Sequence, residues 1–352
     1  MFSIASEAYL RLALWAGIGA SLFTIAITCL IVAVRMQRYL RERHEQRFRE
    51  LWWPILMLTV AEAPPAALPT LARADHWLFI KMWNQLQETL RGEASGRLAA
   101  LAERLQCERI ALRMLGSRNL TRRLFAILTL GHMRALAGWD PLVGQLNQPG
   151  RTSSLYAARA LIQIELREGV RLVVPRLLQR DDWEMSRIAF LLQEYRETLG
   201  AELLQHLPAT PLQRLPRALQ LAEALHLHVS PDLMLPWLDP GQPAALLRAA
   251  LRLANGSEVL PFVRELARHP DWGVRVQAAH TLGRVGQPED VATLTAMLSD
   301  PQWWVRYRAA GALVNLPFVS RAQLRASIAD LQDRYAREIF TQVFAEMMDA
   351  YV

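Results

Sequence analysis

Two stretches near the C-terminus of this chain nearly copy each other. Residues 272–282 read WGVRVQAAHTL and residues 303–313 read WWVRYRAAGAL. Trp272, Val274, Arg275, Ala278, Ala279 and Leu282 recur as Trp303, Val305, Arg306, Ala309, Ala310 and Leu313, an offset of 31 residues. Repetition at a period of about 20–50 residues constrains a fold strongly. Each unit is one supersecondary element that cannot bury its apolar face alone, so units must stack. The phase continues upstream. Ala126, Ala158, Ala189, Ala218, Ala249, Ala278 and Ala309 are spaced by 32, 31, 29, 31, 29 and 31, each with an apolar residue three or four places on. Breakers fall between them at Pro149-Gly150, Gly169, Pro208, Pro211 and Asp239-Pro240-Gly241.

The units read as helical. Asp271 and Asp300 stand just before the two copies, the second followed by Pro301. Asp at an N-cap and Pro in the first turn are helix-start signals. Gly283, Gly286 and Pro288 are expected to break the chain before the next helix, VATLTAMLSD. Trp183 after Asp182 matches Trp272 after Asp271. The chain after the first 50 residues is rich in Ala, Leu and Arg and poor in strand formers. The expected fold class is all-α: an α-solenoid of helical hairpins.

These residues resemble the short HEAT repeat, of the kind found in phycobilisome lyase-like proteins. There an Asp opens a helix, Val-Arg follows, and a small-small pair precedes Leu. Residues 271–316 carry the pattern clearly and it extends loosely back to about residue 95. Residues 205–255 depart most, with Pro211 and Pro216 and no Val-Arg pair. The resemblance implies two antiparallel helices per unit, the Ala pair at a close helix approach, and the Arg after Val reaching the Asp of the adjacent repeat. Leu in place of Ala278 or Ala309 would then overpack that approach, at a cost of about 1–3 kcal/mol.

A second constraint lies at the other end. Leu12 to Val34, LALWAGIGASLFTIAITCLIVAV, carries no charge. A helix of that length crosses a ~30 Å hydrocarbon core. Arg11 precedes it, with Glu7 as an anion, whereas Arg35, Arg38, Arg41, Arg43, Arg47 and Arg49 follow. That bias puts the C-terminal side in the cytoplasm of a bacterial inner membrane and residues 1–11 outside. A cleaved signal peptide would have a basic start, a shorter apolar run and an A-x-A-like site. Here Val32-Ala33-Val34 leads straight into Arg35. The Arg run is interleaved with Glu42, Glu45 and Glu50 and suits a helix at residues 35–50 near anionic headgroups. Within the span, Gly17 and Ser21 are four residues apart, and Thr24 and Thr28 continue the same face. Such a face is either a seam for a homo-oligomer or another membrane protein, or ordinary small-residue content.

The chemistry-bearing residues point away from catalysis. Cys29 and Cys107 are too far apart in kind and place to suggest a disulfide. Neither a P-loop, a G-x-G-x-x-G nor a metal-type Cys pair is present, and no cofactor is expected. His226 and His228 are read as two residues apart on a helix, facing different ways. His44-Glu45 is the one His-Glu pair, too few for the iron site of the HEAT-built deoxyhypusine hydroxylases. The net charge of +7 is carried almost wholly by Arg, with Lys81 the sole lysine. That skew reads as base composition rather than a nucleic-acid signature. Of eleven tryptophans, Trp183, Trp272, Trp303 and Trp304 fall near repeat-helix starts. They either wedge between repeats or, with Arg275 and Arg306, present anchors to a partner, since Trp and Arg are favoured interface residues.

The expected organisation is a non-cytoplasmic tail at 1–11, a transmembrane helix at 12–34, a basic helix at 35–50 and atypical first helices at 51–95. HEAT-like repeats follow at 96–320 and a C-terminal capping or docking helix at 321–352. Its stripe is Ile328, Leu331, Tyr335, Ile339, Val343 and Met347. The expected function is a non-enzymatic scaffold or accessory subunit that holds a protein partner, an integral membrane protein, and meets the bilayer through residues 12–34. Resemblance to anchored bacterial HEAT proteins suggests an envelope or exopolysaccharide synthesis and export complex. A lyase-type or other cofactor-handling HEAT enzyme is the alternative that the repeat resemblance implies. A membrane-tethered nucleic-acid binder, with steeply salt-dependent affinity, is the third reading.

Overall fold

The computed structural model describes residues 2–320, 322–324, 326 and 332–349, with side chains at all of these except 2–14, 16–21, 26 and 347–349. Among the described residues every regular element is helical. The chain divides into two compact units, Met1–Pro141 and Leu142–Val352.

The first unit begins with a single helix, α1, from Phe2 to Ala61. The segments expected at 12–34, 35–50 and 51–61 are one rod of 60 residues, roughly 90 Å long at ~1.5 Å per residue. An 18-residue window within Leu22–Ala61 has mean hydropathy 1.4 and is 0% buried, so the helix is long and apolar enough to cross a membrane. Its far end turns from exposed to packed. Phe48, Trp52 and Leu56 recur every four residues and form one buried stripe. They meet Phe79, Ile80 and Trp83 of α2 (His76–Gln87) and Leu98 and Leu101 of α3 (Glu93–Arg104). Cys107 and Ile110 of α4 (Cys107–Leu115) close this core. Trp52 stands edge-on to Phe79, with ring centroids 4.9 Å apart. Arg97 donates to the carbonyls of Thr59 and Val60 at the end of α1, at 3.3 and 2.6 Å. A cation there satisfies orphan carbonyls and complements the helix dipole. In α5 (Leu120–His132), Thr129 is tied to α2 by Asn84 Nδ2, 2.7 Å away.

The boundary between units falls inside α6, Trp139–Leu146. The second unit continues with α7 (Arg151–Ile164), α8 (Leu166–Gln179), α9 (Met185–Leu192), α10 (Arg196–His206) and α11 (Leu215–Ala224). Then come α12 (Pro231–Met234), α13 (Ala244–Leu253), α14 (Leu260–Leu266), α15 (Trp272–Val285), α16 (Asp290–Met297), α17 (Trp303–Asn315) and α18 (Arg334–Asp349). Helices α7, α9, α11, α13, α15, α17 and α18 pack one on the next in a layer, with α8 and α10 behind its start and α14 and α16 behind its end. This alternation is the helical-hairpin stack that the period requires.

The alanine ladder is the seam of that layer. Ala158, Ala218, Ala249, Ala278 and Ala309 are buried, as Ala126 is in the first unit; Ala189 is half-buried. A Cβ on Gly283 would stand 2.7 Å from the Ala312 Cβ and 2.8 Å from its Cα. Gly283 therefore lies inside α15, where the next helix comes closest, rather than breaking it; Gly286 is the C-cap. Gly283→Val should push α15 and α17 apart and cost about 2–3 kcal/mol in urea unfolding, at the upper end of overpacking penalties because backbone blocks the way. An unchanged midpoint would mean that the helices separate freely.

Several further expectations shift. Asp271 is the N-cap of α15, its side chain accepting from the Val274 amide, but the N-cap of α17 is Gln302, not Asp300. His226 and His228 lie beyond the end of α11, not on a helix, and His226 has φ 54°. On α18, Ile339 and Val343 are buried together with Ala336 and Phe340, whereas Tyr335 is exposed. Ile328, Leu331 and the side chain of Met347 lie outside the described residues, as does the side chain of Ser21; of Gly17 only the backbone is described.

Candidate functional site

The repeat arginines build the stack from within. Arg275 reaches forward to Asp300, with Nε–Oδ2 2.7 Å and Nη2–Oδ1 2.9 Å. Its Nη1 donates back to the carbonyls of His269 and Pro270. Arg248 makes the same forward step to Asp271, at 3.1 Å. Arg306 donates to the carbonyls of Asp300 and Pro301, and Arg217 to those of Leu177, Arg180 and Trp183. Arg275 and Arg306, offered by sequence as partner contacts, are thus bound to the loops between repeats. Their guanidinium donors satisfy carbonyls that the loop cannot pair.

The pairs differ in burial. Side-chain exposure is 13% and 10% for Arg275 and Asp300, but 40% and 35% for Arg248 and Asp271. Burial alone would raise the Asp271 carboxyl; the Val274 amide and Arg248 outweigh it and hold it below its ordinary value. Removing one member of a desolvated pair strands the other, whereas a solvated pair contributes little. Asp300→Ala should therefore cost about 2–4 kcal/mol, well above Arg248→Gln at about 0.5–1 kcal/mol. Equal losses in paired urea titrations would contradict this ranking.

Trp183 is a correction as well. It is 2% exposed, and its Nε1 donates to Ser154 Oγ at 3.0 Å, so it wedges between helices and offers nothing to a partner. Trp272, Trp303 and Trp304 stay at the surface, 47%, 40% and 55% exposed. Trp303 stacks on Tyr307 at 5.0 Å, with planes 19° apart, and Trp304 meets Trp303 edge-on at 4.7 Å. The Tyr307 hydroxyl donates to Glu346 of α18, at 3.0 Å, which raises its pKa. The arrangement is a rigid aromatic cluster at the start of a repeat helix, with Trp272 at the matching position one repeat earlier.

At the other end, Thr24 and Thr28 are exposed on α1, and the Thr28 hydroxyl donates to the Thr24 carbonyl, 2.8 Å. Arg35, Arg38, Arg41, Arg43 and Arg49 are exposed, as is Arg47. Arg41 pairs with Glu45 at 3.0 Å, and Arg43 lies over the Tyr39 ring. His44 pairs with Asp75, Nε2–Oδ1 2.5 Å. Among the described residues, no group of three or more His, Cys, Asp or Glu side chains is arranged to hold a metal. Burial pushes the Cys107 thiol up to about 12, which removes it as a nucleophile near neutral pH.

The fold is an α-solenoid: stacked helical hairpins with an ion-paired inner seam and an aromatic cluster at one repeat start. Residues 233–314 match the family model for HEAT repeats, and that segment is a run of HEAT repeats. No curated protein matches the chain. Among solved structures it is similar to the complex of CpcE and CpcF of phycocyanin lyase from Nostoc sp. PCC7120, at 19% identity, over 67% of this chain and 94% of that chain, with a TM-score of 0.31. It is also similar to an engineered protein, at 15% identity, over 84% of this chain and 92% of that one, with a TM-score of 0.36.

Proposed function

We propose that this chain is a membrane-anchored scaffold whose HEAT repeats hold a partner protein. The observation that carries the reading is the aromatic cluster of Trp303, Trp304 and Tyr307, exposed on a repeat array and braced by Glu346. Large rigid aromatics lose little entropy on docking and dominate interface energetics. The apolar, unburied window of α1 supplies the anchor, with the arginines from Arg35 to Arg49 on the cytoplasmic side by the positive-inside rule. The partner is accordingly an integral membrane protein or one held at the same surface. An envelope or exopolysaccharide synthesis and export complex is the first partner class to test, on the strength of the resemblance to anchored HEAT proteins.

Purification in mild detergent tests the reading. The parent chain should carry a stoichiometric membrane protein, and Trp303→Ser with Trp304→Ser should lose it while the Tm holds. A parent chain that always emerges alone would overturn the scaffold.

A further inference from the structure

Helices α15, α17 and α18 enclose a cleft of about 360 Å³, within the range of small-ligand sites. Its floor is open at Gly311, which lacks a side chain. A Cβ on Gly311 would find only the Val343 Cγ1, at 4.0 Å. Two guanidinium groups and an imidazole line the cleft, Arg284 and His280 from α15 and Arg308 from α17, with the Asn315 amide beside them. The carboxylates near it are already engaged. Glu346 accepts from Tyr307 at 3.0 Å, and Glu223 pairs with Arg252 at 3.4 Å.

Arg284 is the informative member. One of its terminal nitrogens donates to the carbonyls of Ala254, at 2.5 Å, and Leu251, at 3.4 Å. Among the described residues it has no carboxylate at ion-pair distance, and burial lowers its pKa. Arg284 is exposed as a residue, but its guanidinium is partly desolvated where it meets these carbonyls. Glu223, beyond ion-pair distance and already paired with Arg252, offsets only part of that cost; an anion beside Arg284 would relieve the rest. From this geometry we propose that the α15–α17–α18 cleft binds an anionic oxygen group, a phosphate or a carboxylate, between His280, Arg284 and Arg308. Arg guanidinium groups meet both anions through short, charge-assisted hydrogen bonds. The same anion arrives either as a free ion or on an acidic segment of another protein.

His280 gives the site a pH dependence. Burial lowers its pKa, as do Arg308 of α17, Arg284 on its own helix and Arg252 of α13, while Glu223 of α11 raises it. The imidazole therefore takes up its proton at lower pH than an ordinary histidine. An anion favours the charged form, so binding tightens as pH falls through that lowered value.

The full chain in detergent micelles should be titrated calorimetrically with inorganic phosphate and, separately, with hexaglutamate. Saturable binding of at least one probe is expected, with Kd near or below about 1 mM. Phosphate binding alone identifies a free ion as the ligand, and hexaglutamate binding an acidic segment; each supports the site. Arg308→Gln, at an exposed position, should weaken binding by about tenfold, the loss of one charge-assisted contact. Gly311→Leu fills the cleft without removing a cation and should abolish binding while leaving the Tm unchanged or raised, because Leu favours helix over Gly. Absence of saturable binding by both probes, or the same Kd in Arg308→Gln or Gly311→Leu as in the parent, would overturn the proposal. Copurification of a partner is read separately, so either conclusion can fall without the other.

Discussion

Removing residues 1–34 is expected to move the chain from the membrane pellet to the soluble fraction. The eleven Leu, Ile, Val and Phe residues of Leu12–Val34 favour insertion by about 3–7 kcal/mol, with no charged side chain to oppose them. That corresponds to a shift of about two to five decades in partitioning. The shortened chain should still fold, because Phe48, Trp52 and Leu56, through which α1 enters the first core, lie beyond the deletion. Carbonate extraction of the full chain and of the shortened one decides the matter. If the full chain washes off, or if the shortened chain still pellets, α1 is not the anchor. In the second case the exposed Leu51, Trp53 and Leu58, beside the arginines, become the next surface to test.

Much of the second unit could be read from the residues. Ala218, Ala249, Ala278 and Ala309 mark the seam because close-packed helices admit only a small side chain, and such a position must recur once per repeat. The step from Arg275 to Asp300 is what the repeat resemblance implies, but Arg306, the matching residue one repeat on, binds the Asp300 and Pro301 carbonyls instead. The first unit is different. Trp52, Phe79 and Trp83 form its core without any repeating phase, so hydrophobicity named them as apolar but not as neighbours. Nor could sequence foresee that α1 continues through Pro54 to Ala61. A single proline removes one hydrogen bond and need not end a helix that is packed on one face. The cleft at His280 was also hidden, because Arg284 and Arg308 belong to different repeats and no motif joins them.

Trp183 shows how a small change of register reverses a side chain's role. Asp182-Trp183 and Asp271-Trp272 look alike as dipeptides. Asp271 is itself the N-cap of α15, which makes Trp272 the first helical residue and leaves it at the surface. In the earlier repeat Glu184 is the N-cap of α9, so Trp183 falls one residue before the cap and turns inward. Arg180 there pairs with Asp182, Nε–Oδ1 2.7 Å, and lies over the indole at 5.1 Å. That pairing holds the Asp182 carboxyl below its ordinary value.

Trp183→Ala should consequently be among the most damaging single substitutions in the second unit. A fully buried Trp reduced to Ala costs about 3–5 kcal/mol, transfer and cavity terms together. The indole also donates to Ser154 of α7, and Arg217 of α11 donates to the Trp183 carbonyl, so the loss falls where two stacked helices are tied to one loop. In a repeat array each element leans only on its neighbours, and the damage should stay local. Hydrogen exchange should lose protection across α7, α9 and α11 while α15 and α17 keep theirs. Trp272→Ala, which removes an exposed ring, should cost no more than about 0.5 kcal/mol. If the two variants unfold at the same urea concentration, the inward placement of Trp183 is wrong; if α15 and α17 lose protection together with α7, the unit behaves as one cooperative block and not as a stack.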